Sequence, residues 1–149
     1  MQKICLNIAH RGYSDKYPEN TMIAFQKAIE DGFDGIETDV HKTKDGQLVL
    51  CHDEKINRTS NGKGYIKDYT YEELLQFDFG YKTKYKNQKI TLLKELLELW
   101  QKRKIIINIE MKTNKIQYEN IEWETYQMIQ QMNMLNQVIF SSFYLDSLF

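Results

Sequence analysis

Five short apolar runs alternate with stretches of helical spacing along this sequence, and that alternation confines the chain to α/β architectures. The runs are Ile4 to Ala9, Gly35 to Val40, Leu48 to Cys51, Lys104 to Lys112 and Gln137 to Ser142. Between the first two, Asn20-Thr21 opens a helix with Ile23, Ala24, Ala28 and Ile29 on one side, and Gly32 closes it. Thr70 with Glu73 forms a capping box that starts a short helix. Thr91 caps a further helix that buries Leu92, Leu93, Leu96, Leu97 and Trp100. The spacing predicts another over Tyr118 to Met134, and Tyr144 to Phe149 begins one more. Strand–helix alternation argues for a parallel sheet, with one exception. Only a few residues around Asp45-Gly46 join the second and third strands, too few for an ordinary parallel crossover and suited to a hairpin.

At 149 residues the chain is long enough to bury a core as one domain. Its formal net charge of -1 excludes a nucleic-acid footprint or a basic membrane-surface patch. Tyr81 and Tyr85 with Lys82, Lys84 and Lys86 therefore read as part of a solvated loop, Lys82 to Lys89. No run approaches the roughly 18 apolar residues of a membrane span, and the run before His10 is too short for a secretory core. A cytoplasmic location follows, with Cys5 and Cys51 expected as buried free thiols.

Ionisable residues gather where the apolar runs end. His10-Arg11 closes the first, Glu37 and Asp39 lie in the second, His52 and Asp53 close the third, and Glu110 and Lys112 close the fourth. Alternation along a strand puts Glu37 and Asp39 on one face, and Asn108, Glu110 and Lys112 on one face. Singly, each is ordinary: a Glu-x-Asp is commonly a solvated edge, and a strand-end histidine a loop residue. Recurrence on four successive strands is not explained by solvation. Carboxylates on a buried face need compensation, and Glu37, Asp39 and Glu110 fit a hard divalent cation, Mg²⁺ or Ca²⁺. His10 and His52 fit a general acid and base. Arg11 and Lys112 suit an anion such as phosphate. Together they describe metal-assisted hydrolysis of a phosphate ester. His41 shares parity with Asp39 but reads as a loop or rim residue beyond the strand.

The order and spacing of Ala9-His10-Arg11-Gly12, Pro18-Glu19-Asn20-Thr21, Glu37-Thr38-Asp39-Val40, Lys44-Asp45-Gly46 and His52-Asp53 resemble the glycerophosphodiester phosphodiesterases. Arg58-Thr59-Ser60-Asn61-Gly62-Lys63-Gly64, Asn108-Ile109-Glu110-Met111-Lys112 and Ser141-Ser142-Phe143 continue the match across the chain. The resemblance implies a TIM (β/α)8-barrel type of fold, with the site at the C-terminal ends of the strands. It implies that the second and third strands run parallel through a reduced crossover. It gives Glu37, Asp39 and Glu110 to the metal, His10 and His52 to acid–base catalysis, Arg11 and Lys112 to the phosphate, and Glu19 and Asn20 to bracing the first loop. The implied reaction, within lipid and glycerol metabolism, splits a small-molecule glycerophosphodiester into glycerol 3-phosphate and an alcohol.

A full barrel takes about 250 residues, so residues 1–149 are expected to form a partial domain of about five β/α units. Self-association is expected to cover the open sheet edges. An inactive remnant of such an enzyme and a related phospholipase-type phosphodiesterase are the alternatives. Pro18-Glu19-Asn20-Thr21 and Asn108 to Lys112 favour the glycerophosphodiesterases over the latter.

Overall fold

The computed structural model describes residues 5–148. In chain order the elements are β1 (Ile8–His10), α1 (Met22–Glu30), β2 (Gly35–Lys42), β3 (Leu48–Leu50), α2 (Tyr71–Leu74), β4 (Thr91–Leu92), α3 (Leu93–Trp100), β5 (Ile106–Met111), α4 (Ile121–Gln131) and β6 (Val138–Ser141). Ile4, where the first strand is expected to begin, and Phe149 lie outside the described residues; the expected terminal helix is a single 3₁₀ turn, Leu145–Leu148.

The elements start and stop for local reasons. Thr21 caps α1 by accepting from the Ala24 N–H. Its far end closes as a Schellman turn: Phe33 donates to the Ala28 carbonyl and Gly32, at φ +75°, to that of Ile29. Thr70 and Glu73 form the expected capping box of α2. Thr91 does not cap α3; it pairs with Leu50 in β4, and the Leu92 N–H that opens the helix donates to Glu95. The helix expected over Tyr118 to Met134 is shorter, because Asn120 and Asn133 take left-handed conformations at its two ends.

β1, β2, β5 and β6 are parallel. β2 pairs with β5 over Gly35 to Val40 along one edge. β1 and β3 share its other edge, β1 beside Gly35 to Glu37 and β3 beside Val40 to Lys42. The β2–β3 pair is antiparallel, which corrects the parallel crossover that the resemblance implies. The turn decides it: Gly46 takes φ +82°, Thr43 donates to the Gln47 carbonyl, and the strands fold back as a hairpin.

Two cores result, and β3 is the wall between them. Leu48 and Leu50 face the larger, where the outer residues of β2 and β5 (Ile36, Val40, Ile107, Ile109) meet α1, α3 and α4. Leu93, Leu96, Leu97 and Trp100 are fully buried there, as their spacing predicts. Val49 and Cys51 face the smaller core, closed by Ile56, Ile66, Leu74, Phe79 and Ile90 from the loops and short helical turns between β3 and β4. Each of the larger buried aliphatics stabilises the fold by about 1.5–3 kcal/mol. Cys51 is a buried free thiol, as expected, and burial pushes its pKa up to about 12. Cys5 is free but exposed, because it precedes β1 rather than lying inside a strand.

Candidate active site

Register lines up the chemistry. His10, Glu37 and Asn108 occupy one row across β1, β2 and β5. Asp39, Glu110 and Ser141 occupy the row two residues further along β2, β5 and β6. Residues two apart share a face, so both rows project from the same side, toward the C-terminal ends of the parallel strands.

One ligand oxygen from each of Glu37, Asp39 and Glu110 can be chosen so that all lie within 4.8 Å of one another. Burial and the neighbouring Asp39 push the Glu37 carboxyl up to about 7. Burial also raises Asp39, against the opposing hydrogen bond from Asn20 and the charge of Lys112. Asp39 is fully buried, yet its Oδ1 accepts no hydrogen bond among the described residues. A buried carboxylate oxygen that accepts no hydrogen bond, among two further carboxylates, is part of an all-oxygen donor set, the kind that suits a hard divalent cation.

Cations and amides surround this cluster. Lys112 Nζ donates to Glu110 at 2.8 Å and lies 3.8 Å from Asp39. Arg11 donates its backbone N–H to Glu37 at 3.1 Å, while its Nε stands 3.6 Å from Asp39. Asn20 donates to Asp39 at 3.0 Å and accepts from Thr38 Oγ1 at 2.8 Å, so it braces the ligand strand directly. Arg11 and Asn20 both hold left-handed backbone conformations, at φ 56° and 55°. Such strain costs about 1–3 kcal/mol each and persists where the surroundings fix it; here the Asn20 N–H donates to the Arg11 carbonyl. Gly12 beside them must be glycine, since a Cβ would sit 2.9 Å from the Ala24 carbonyl carbon.

The two histidines enter from different supports. His10 ends β1, is 65% exposed, and holds Nε2 3.8 Å from Glu37. His52 follows β3, with Nδ1 2.7 Å from Asp53 Oδ1. Arg58 grips Asp53 through Nε and a terminal nitrogen at 2.8 and 3.0 Å, and this holds the Asp53 carboxyl well below the usual range. Arg58 also reaches Glu19 at 2.7 and 2.9 Å. Burial would raise the Glu19 pKa, but the bond and charge of Arg58 outweigh it and the net shift is downward. His10, Arg11, Glu37, His52, Asn108 and Glu110 line one open cleft of about 500 Å³, with Phe143 at its rim.

His41 is not a rim residue. β2 continues to Lys42, and His41 is fully buried between Tyr118 and the backbone of His52. Burial lowers its pKa to about 4, so the ring is neutral. Nε2–H donates to the His52 carbonyl at 3.2 Å, and Nδ1 accepts from the Tyr118 hydroxyl at 2.8 Å. The structure thus brings together every site residue that the sequence nominated, and adds Thr38, His41, Asp53, Arg58 and Tyr118. Thr38, Asp53 and Arg58 each stand in a segment that carries the resemblance, and His41 stands in strand parity with Asp39; none takes a role in the site from sequence alone.

Residues 10–149 match the Glycerophosphoryl diester phosphodiesterase family. The chain belongs to that family. A glycerophosphodiester phosphodiesterase of Bacillus altitudinis is 48% identical over 143 residues, which are 94% of this chain and 58% of the relative. One from Caldanaerobacter subterraneus is 46% identical over 140 residues, 93% of this chain and 58% of the relative. Among solved structures, an Oleispira antarctica phosphodiesterase in complex with the product sn-glycerol-3-phosphate superposes with a TM-score of 0.87 at 31% identity, covering 95% of this chain and 58% of that one. The chain thus spans 58% of the length of these relatives. The glycerophosphoryl diester phosphodiesterase fold is of the TIM-barrel type, and this α/β sheet with its site at the strands' C-terminal ends is part of that arrangement.

Proposed function

We propose that the cleft hydrolyses glycerophosphodiesters to sn-glycerol 3-phosphate and an alcohol, with a divalent metal and two histidines. The observation that carries this reading is the convergence of Glu37, buried Asp39 and Glu110, two of them lining the cleft that His10 and His52 also line. Glu37, Asp39 and Glu110 would hold Mg²⁺ or Ca²⁺. When bound, the metal supplies Lewis-acid polarisation of the phosphoryl group.

The remaining roles belong to the chain. Arg11 and Lys112 hold the phosphate oxygens and offset their charge. Water attacks phosphorus as its proton passes to one histidine; where the substrate's own glycerol hydroxyl attacks instead, a cyclic phosphate forms first and water then opens it to glycerol 3-phosphate. The P–O bond to the alcohol breaks, and the other histidine donates a proton to the leaving oxygen. His52 is oriented by Asp53, while exposed His10 reaches the cleft from the end of β1.

Two unpaired cysteines support a cytoplasmic location within this reading. No helix among the described residues is long and apolar enough to cross a membrane. Exposed Ile139, Phe143, Leu145 and Leu148, on and just beyond β6, support self-association; sedimentation as a monomer at all concentrations would remove that part.

The deciding experiment measures glycerol 3-phosphate release from glycerophosphocholine by the purified chain, with Mg²⁺ or Ca²⁺ and then with a chelator. Chelator-sensitive release that disappears in His10→Ala is expected. Release that survives the chelator, or no release with either cation, overturns the reading.

A further inference from the structure

Between His52 and Asp39 the side chains form an unbroken series, His52, Asp53, Arg58, Glu19, Arg11 and Asp39, whose charges alternate from Asp53 onward. The separations are 2.7 Å from His52 to Asp53, 2.8 and 3.0 Å to Arg58, 2.9 and 2.7 Å on to Glu19, 3.3 Å to Arg11 and 3.6 Å to Asp39. We infer that Arg58 is a positioning residue, which fixes the tautomer and direction of His52 through Asp53 and the placement of Arg11 through Glu19. The inference rests on the proposed roles of His52 and Arg11, and deepens them.

Sheet register does not orient the His52 ring. His52 lies beyond the last paired residue of β3, and His41 reaches only its backbone carbonyl. The ring's orienting partner is Asp53, itself on irregular chain. An ionised carboxylate only accepts, so Nδ1 must carry the hydrogen, which leaves Nε2 as the atom that exchanges protons in the cleft. This device works only if Asp53 is itself held still and ionised.

Arg58 does both with a planar fork that engages two carboxylates at once, a geometry that lysine cannot copy. A single exposed ion pair would contribute little, and Arg58 is 47% exposed. What distinguishes it is that both partners are committed onward, Asp53 to the acid–base histidine and Glu19 to the phosphate-holding arginine. The two arms should therefore separate kinetically, the Asp53 arm into kcat and the Glu19 arm into KM.

The test uses the ¹⁵N-labelled full chain and long-range ¹H–¹⁵N correlation of the His52 ring at about pH 9, above the ordinary histidine range. Wild type should show one neutral tautomer, with hydrogen on Nδ1. Arg58→Ala should show both tautomers, with the backbone amide spectrum otherwise preserved. Should Arg58→Ala fail to fold, Arg58→Gln, which retains bulk but not the charged fork, should give the same mixture. A single Nδ1–H tautomer in either folded variant, or mixed tautomers in wild type, overturns the inference.

Kinetics provide the second readout. Arg58→Ala and Asp53→Asn should each lower kcat about tenfold to a hundredfold, a span seen when a ligand's orienting partner is removed. The double variant should lose little more than either alone, and Glu19→Gln should act mainly on KM. Additive losses in the double variant would mean that Arg58 does not act through Asp53. If wild type releases no glycerol 3-phosphate, the functional reading fails, while the tautomer measurement still decides the role of Arg58.

Discussion

Glu37, Asp39 and Glu110 stand on two strands paired in register from Gly35 to Val40, whereas His52, Asp53 and Arg58 stand on irregular chain folded against the smaller core. In the first region, backbone pairing and strand alternation fix where each carboxylate points before any side chain interacts. In the second, no repeating backbone pattern exists, and a series of ion pairs supplies the direction. Like charges must be held close for a metal site, so they sit where the scaffold is stiffest. The acid–base group depends on hydrogen bonds that side chains alone provide.

The largest expected effect separates the two regions outright. Glu110→Ala or Asp39→Ala should abolish measurable Mg²⁺ or Ca²⁺ binding in calorimetry. Turnover should fall about a thousandfold or more, the rate equivalent of roughly 4 kcal/mol. His52→Ala should remove turnover while leaving metal affinity within about threefold, because no hydrogen bond or ion pair among the described residues joins it to Glu37, Asp39 or Glu110. Equal loss of metal affinity in His52→Ala would erase the distinction.

Next come the cores themselves. Trp100→Ala in the larger core should cost about 3–5 kcal/mol, and Ile66→Ala in the smaller about 2–5 kcal/mol, from urea unfolding. Their local consequences should differ. Trp100→Ala lowers hydrogen-exchange protection in β2 and β5 and weakens metal binding. Ile66→Ala loosens the segment around His52 and lowers kcat with the metal site intact. Matching exchange patterns would mean one cooperative core rather than two.

Legibility in the sequence follows the same division. β2 and β5 announced themselves because alternation along a strand is visible in residue types, and Glu37, Asp39, Asn108 and Glu110 fell on the correct face from parity alone. The α3 stripe was equally plain. The smaller core was not legible: Ile56, Ile66, Leu74 and Phe79 have no common period, and their meeting depends on tertiary folding over β3. His41 was misplaced because Val40 looks like a strand end; pairing with Val49 across the hairpin carries β2 onward and buries it. Arg58 could be found only by its place in a recognised segment, since its partners Glu19 and Asp53 lie far apart or on the other side of a turn.

A pH experiment sharpens the stiff side. The Glu37 carboxyl titrates at about 7 in the fold against 4.5 as its ordinary value. Its folded pKa is raised, so without metal it contributes stability that is fully present below about pH 4.5 and lost as the pH rises through about 7. Metal must displace the proton, so affinity should fall about tenfold for each pH unit below 7, down to about pH 5. Urea midpoints of wild type and Glu37→Gln, compared at pH 5 and 7.5 in a chelator, isolate this group. The gap between them should narrow or reverse at the lower pH and vanish as a pH effect under saturating cation. A pH-independent gap in the chelator would mean that Glu37 is not strained by burial beside Asp39.

The smallest effect tests the seam between the regions. His41 belongs to β2 yet holds the His52 carbonyl, and Tyr118 orients it from just before α4. Tyr118→Phe keeps the edge-on ring contact, with centroids 5.7 Å apart, and deletes only the hydroxyl donor to Nδ1. That leaves a buried acceptor unpaired, at a cost of about 1–3 kcal/mol. Freed of its partner, the His41 ring can turn and release the His52 backbone, so kcat should drop a few-fold while metal affinity stays unchanged. Loss of stability with unaltered kcat would show that the ion pairs around Asp53 suffice to place His52. A fall in metal affinity would instead mean that the two regions are mechanically one, coupled through β2 or through the ion-pair series from His52 to Asp39.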